Sequence, residues 1–277
     1  MKLFKLPIAI VCSAILLTSC DFKAKMNELL SPKESTEEFR ADFKTLVELG
    51  AVGGNFKPSS MRDDYIATAK NGLTTKEAEA KVDEYLAGQA ITDFADVAST
   101  YYDSFFTDND IDYLAEQFGS DEGKSAVANS AKVYNAIGAF VNQALTGKSI
   151  PRIATKECPE EYEKKFAEYY RIANADSILN SMISQFETVA KLSKNSPIDE
   201  KTWPFYKNLA KGLFPQIMLN ETYGIMTMED MDFYIATLSS ESGKKLKQGD
   251  LEMLNDAIKV RLKLNQKFSA WMSQSSK

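Results

Sequence analysis

Apolar residues recur every three or four positions through most of this chain, and this spacing restricts it to helices. From Glu37 to Leu49 the apolar side chains fall on one face of a helix, and similar spacing returns after residue 60. Residues three and four apart share a face of an α-helix, whereas a strand with one buried face needs strict alternation. No stretch after residue 36 sustains such alternation, so we predict an all-α fold.

Local signals give the limits of several helices. A short helix is expected from residue 63 to 71. Thr74 and Glu77 then have the spacing of a capping box, in which each side chain bonds the backbone of the other residue. Apolar spacing predicts further helices from Ile91 to Phe106 and from about Asp250 to Met272.

Two segments of the chain resemble each other at a constant separation of 120 residues. Residues 107 to 126 are TDNDIDYLAEQFGSDEGKSA, and residues 227 to 246 are TMEDMDFYIATLSSESGKKL. Between the copies, residues 195 to 208 carry two prolines and are interpreted as an insertion. Because only two copies occur, we predict an internal duplication rather than a long solenoid. The expected architecture is two tandem, related multi-helix repeats, 36–158 and 159–277, packed as one body.

The second copy also resembles a known family. The chain has YYRIANADSILNSMISQFETVAKL followed by GIMTMEDMDFYIATLSSESGKKL. An apolar helix, a helix that starts with threonine, a Ser/Thr turn and Gly-x-Lys occur in this order in the secreted bacterial domain of unknown function 2059. The resemblance covers residues 165 to 246, with Asp230-Met231 where that family usually has Glu-Leu and Thr237-Leu238 in place of its aromatic region. It implies a helical, envelope-associated protein without an assigned catalytic site, so no active residues are transferred.

Both copies carry residues suited to helix caps and turns. Serine and threonine side chains accept hydrogen bonds from the N–H groups at helix starts. Glycine within a helix is less favourable than alanine by about 0.5–1 kcal/mol, so its presence in both copies predicts a neighbouring helix too close for a Cβ. We assign structural roles as caps and turns to Thr107, Ser120, Gly123, Thr227, Ser240 and Gly243.

The first copy partly matches two ligand-binding motifs. A phosphate-binding loop has four residues between its glycines and follows a buried strand, but only three separate Gly119 from Gly123, and a helical pattern precedes them. The acids of residues 108 to 112 begin like a calcium loop, yet Tyr113 stands where that loop needs glycine. We therefore predict turns between helices here, with no nucleotide, metal or other cofactor.

Composition removes further chemistries. The chain has no histidine, which excludes Ser-His-Asp and Cys-His catalysis and histidine-ligated zinc. Of its three cysteines, Cys158 is interpreted as a small buried apolar residue, with a reactive thiol as the alternative. The net charge of −6 does not suit phosphate backbones or anionic lipid surfaces, which attract basic proteins, so it argues against nucleic acid as a partner.

The first twenty residues have the pattern of a secretion signal. Lys2 and Lys5 precede an apolar run that ends at Leu17 and is shorter than the ~20 residues of a membrane-spanning helix. The ending Leu-Thr-Ser-Cys20 resembles the lipobox of bacterial lipoproteins. The resemblance implies a signal peptide over residues 1–19 and an acylated Cys20, for example with palmitate. Residues 20–35 would then form the lipidated N-terminus and tether.

An alternative is an ordinary cleaved signal with an incidental cysteine, but a cleavage site alone does not require one. We expect the lipid bilayer to hold the chain in the bacterial cell envelope, facing the periplasm or the exterior. The basic face of the last helix either touches anionic lipid or packs on the chain's own acidic body. We favour the second interpretation.

These observations favour a non-catalytic envelope lipoprotein that binds an envelope protein or glycan. The alternative is a carboxylate-dependent hydrolase acting on envelope glycans, which needs two suitably spaced acids. The candidates for such a cleft are Tyr102, Asp103, Asp108, Asp110 and Asp112. Their spacing singles out no pair, so we predict that the chain is not an enzyme.

Overall fold

The computed structural model describes residues 35–70, 72–145, 157–192 and 201–275. Every regular element within these ranges is a helix, so the prediction of an all-α fold is confirmed. None of these helices is both long enough and apolar enough to cross a membrane. The predicted signal peptide, Cys20 and the tether up to residue 34 lie outside the described residues.

Twelve α-helices lie within the described ranges. In chain order they are α1 (Glu37–Glu48), α2 (Arg62–Ala69), α3 (Thr75–Gly88), α4 (Ala90–Ser99), α5 (Asp108–Gly119), α6 (Asp121–Leu145), α7 (Glu160–Ile172), α8 (Ala175–Leu192), α9 (Trp203–Thr222), α10 (Met228–Ser239), α11 (Glu241–Asn255) and α12 (Ala257–Ser275). Two short 3₁₀ helices, Gly54–Phe56 and Pro58–Met61, connect α1 to α2.

The described residues divide into two compact units. The terminal unit contains the residues up to Asp108 and those from Glu252 onward, and the central unit is Asn109–Leu251. These limits differ from the repeat boundary predicted between residues 158 and 159, because α12 packs on α2, α3 and α4 near the other end of the chain. The two tandem repeats stay a prediction from the sequence.

The terminal unit shows how local hydrogen bonds end a helix that the apolar spacing would continue. The predicted helix from Ile91 to Phe106 ends as α4 at Ser99. Ser99 Oγ donates to the Asp96 carbonyl at 3.2 Å, and Thr100 Oγ1 donates to the Val97 carbonyl at 2.8 Å. Such side-chain bonds compete with the helical backbone ladder. A series of turns follows, from which Tyr102 and Phe106 still reach the core beside Phe43 of α1.

Helix α12 closes the terminal unit. The helix predicted from about Asp250 to Met272 is divided at Asp256, where α11 has ended and α12 begins. The buried face of α12 contains Val260, Leu264 and Phe268. Its basic side chains Arg261 and Lys267 pair with acids of α2 and α4. The packing of α12 and these two ion pairs agree with the favoured interpretation for part of the basic face.

In the central unit, α9 packs on α6, and α10 packs on both α6 and α7. The helix limits follow the 120-residue separation of the two similar segments: α5 spans 108–119 and α10 spans 228–239, while α6 starts at Asp121 and α11 at Glu241. Equal limits are what matching caps produce. Part of the segment interpreted as an insertion, from residue 203 on, opens the 20-residue helix α9.

Candidate functional site

The two turns around Ser120 and Ser240 have the same hydrogen-bond geometry. Ser120 Oγ accepts from the Gly123 N–H at 3.0 Å and donates to the Gln117 carbonyl at 2.7 Å. Ser240 Oγ makes the corresponding two bonds, at 3.0 and 2.7 Å, with the residues 120 positions further along. Ser120 therefore caps α6 and also bonds the last turn of α5. Ser240 does the same between α10 and α11, so each serine fixes the corner between two consecutive helices.

Gly123 and Gly243 lie against the backbone of the preceding helix. A Cβ at Gly123 would overlap the Gln117 carbonyl oxygen and lie 2.8 Å from Phe118 Cα. At Gly243 it would overlap the Thr237 carbonyl oxygen and lie 2.7 Å from the Cα of the next residue. The close neighbour that the sequence predicted is the preceding helix, which ends at the same turn.

Thr107 and Thr227 stand directly before α5 and α10, the helices that lead into the two turns. Thr227 and Asp230 form a capping box: the Asp230 N–H donates to Thr227 Oγ1 at 3.1 Å, and the Thr227 N–H donates to Asp230 Oδ2 at 2.9 Å. Thr107 stands in the corresponding place, since α5 begins at Asp108. All six predicted cap and turn residues are thus found at helix junctions of the two similar segments.

This geometry does not form a phosphate-binding loop. The segment that leads into Gly119 is helix α5 rather than a strand. The Gly123 N–H, which such a loop would direct at a phosphate, is bonded to Ser120 Oγ instead. The acids of residues 108 to 112 form the first turn of α5, where negative charge is favourable.

Asp110 is a buried carboxylate held by α11. Ser242 Oγ donates to its Oδ1 at 2.7 Å, and Lys245 Nζ lies 2.6 Å from its Oδ2. Asp110 is the third residue of α5, and both donors come from the first two turns of α11. A buried carboxylate with a charged partner and a neutral donor satisfies the requirement for burial of an ion.

Asp230, which stands 120 residues after Asp110, is held in the reciprocal way by α6. Asn129 Nδ2 donates to its Oδ2 at 2.9 Å, and Ser125 Oγ donates to its Oδ1 at 3.3 Å. Ser125 corresponds to Lys245 at the same separation. Asp110 of α5 therefore bonds α11 through an ammonium group and a hydroxyl group. Asp230 of α10 bonds α6 through an amide and a hydroxyl group, which are both neutral.

The terminal unit contains a second set of buried carboxylates. Arg261 Nη1 of α12 donates to Asp64 Oδ2 of α2 at 2.6 Å, and the guanidinium lies 5.9 Å from the centre of the Phe56 ring. Asp64 Oδ1 is buried and has no hydrogen-bond partner in the described structure. Burial raises the pKa of the Asp64 carboxyl above its ordinary value, although Arg261 acts in the opposite direction.

Asp93 of α4 is the centre of a network beside this pair. Tyr85 OH donates to Asp93 Oδ2 at 2.7 Å, and Gln89 Nε2 donates to its Oδ1 at 3.2 Å. Lys267 Nζ lies 3.5 Å from Asp93 and 2.7 Å from Asp96. Burial and the neighbouring Tyr65 and Asp93 raise the pKa of Tyr85, so its hydroxyl stays protonated and acts as a donor.

The five residues proposed for a glycan cleft have different environments. Tyr102 is fully buried among phenylalanine rings, and Asp110 is buried in its ion pair. Asp103, Asp108 and Asp112 are exposed. None of the three exposed aspartates lies in the buried, apolar surroundings typical of a catalytic general acid.

Two further sequence expectations concern cysteine and metals. Cys158 is half-buried rather than buried, unlike the small buried apolar residue that the sequence suggested. Among the residues that the structure describes, no group of three or more acidic or cysteine side chains is placed to hold a metal ion.

The first turns of α9 present a different kind of surface. Phe205 is 64% exposed, the one large apolar side chain with such exposure among those described. The other exposed residues on this part of the helix are Pro204, Asn208, Lys211, Gly212 and Pro215. We call this surface, including Phe205, the α9 face.

No protein-family model, curated protein or solved structure matches this chain. The resemblances of the first twenty residues and of residues 165 to 246 therefore remain expectations from the sequence.

Sequence reasoning identified the caps but missed their long-range partners. It did not foresee that Ser242 and Lys245 bind Asp110, or that Arg261 binds Asp64, because no local pattern marks residues that are far apart in the chain. The α9 face had one signal, the Trp-Pro-Phe sequence at residues 203 to 205.

Proposed function

We propose that this chain is a lipoprotein of the bacterial cell envelope, held in the bilayer through an acylated Cys20, whose helical body binds an envelope protein or glycan and performs no catalysis. The anchor faces the periplasm or the exterior in this proposal. Its basis is the lipobox-like sequence that ends at Cys20.

The non-catalytic part rests on one observation, the use made of the buried carboxylates. Asp64, Asp93, Asp110 and Asp230 are the buried acids of the described residues. Each accepts hydrogen bonds or an ion pair from a side chain of another helix. A carboxylate that acts as a general acid or nucleophile must instead reach a substrate. The arrangement supports a structural role for these acids and a body that works through its surface.

We expect acylation at Cys20 to decide where the protein is found. Mass spectrometry of membrane-extracted protein should show a diacyl- or triacyl-cysteine N-terminus at residue 20. Cys20→Ala should release the chain from the membrane fraction or stop its processing. Cys158→Ala is the matched control, and it should leave both the lipid and the membrane location unchanged.

An unmodified mature N-terminus at any other residue would contradict the anchor. The non-catalytic body is tested separately with purified protein and peptidoglycan fragments. Turnover of these fragments, lost on replacing Asp103, Asp108 or Asp112, would establish the carboxylate-dependent hydrolase instead.

A further inference from the structure

We draw no further inference here: the strongest candidate, the α9 face with its exposed Phe205, is an unpartnered apolar surface, and nothing in the described part of the structure shows what covers it.

Discussion

Replacing Gly243 by alanine should lower the free energy of unfolding by about 1–3 kcal/mol, although alanine is ordinarily the better helix former. The added Cβ would overlap the Thr237 carbonyl oxygen and crowd Leu238 Cα. Both neighbours are backbone atoms, so no side-chain rotation can relieve the contact, and the corner between α10 and α11 must open. Chemical denaturation of Gly243→Ala should show this loss, and Gly123→Ala should show a similar one.

Gly119→Ala is the matched control for these variants. Gly119 is the last residue of α5, and a Cβ there would meet no atom within 4 Å. Where space and backbone allow it, Gly→Ala stabilises by about 0.4–1 kcal/mol by restricting the unfolded chain. Equal effects at Gly119 and Gly243 would show that helix propensity, rather than the close approach of two helix ends, accounts for the glycines.

Replacing Arg261 by methionine should destabilise the protein by up to about 3–5 kcal/mol at neutral pH, the loss expected when one partner of a buried ion pair is removed. Methionine keeps an apolar side chain at this position, so the change isolates the loss of the guanidinium. Asp64 is buried, and its Oδ1 already has no partner. Without Arg261 both carboxylate oxygens would be buried without their hydrogen bond or compensating charge.

This loss should depend on pH in a definite direction. Burial already raises the pKa of Asp64, and removal of Arg261 removes the main influence that lowers it. The folded variant then holds a proton that the unfolded chain, with an aspartate pKa of about 3.9, releases. A raised folded pKa gives stability that is full below the unfolded pKa and is lost as the pH rises through the folded pKa. Destabilisation should therefore be smaller near pH 4 than near pH 7.

Two comparisons make the test specific. Arg62 pairs with Asp83 at 2.9 Å on the surface of the same unit, so Arg62→Met should cost less than about 1 kcal/mol. Adding Asp64→Asn to Arg261→Met should recover part of the loss and remove its pH dependence. A loss at Arg261 no larger than that at Arg62, or one independent of pH, would show that the Asp64 pair contributes little.

The helical class and several local features could be predicted from residues close together in the chain. Thr74 and Glu77 form the capping box that their spacing indicated, with the Glu77 N–H donating to Thr74 Oγ1 and the Thr74 N–H donating to Glu77 Oε2. Apolar spacing also placed Phe43 and Leu46 of α1 in the core. Such signals suffice because a cap or an amphipathic face is decided within four residues.

The remaining features depend on contacts that the order of residues does not encode locally. Arg261 and Asp64 are separated by 197 positions, and nothing near either residue indicates the other. The end of α4 at Ser99 depends on side-chain bonds to the backbone that compete with an otherwise helical pattern. Phe205 is exposed because other helices pack on the opposite side of α9, and apolar spacing alone does not determine which side they cover.

The packing of α12 on α2, α3 and α4 has a consequence for the order in which the protein is made. The central unit is continuous in the sequence, so all of its residues are available once Leu251 has been synthesised. The terminal unit stays incomplete until residues 257 to 275 emerge, because its core includes Phe268 from the last helix against Tyr65 and Tyr85 from early ones. Contacts of such sequence separation form slowly. The core of the terminal unit therefore cannot be completed before α12 has been synthesised, whereas the central unit needs no residue beyond Leu251.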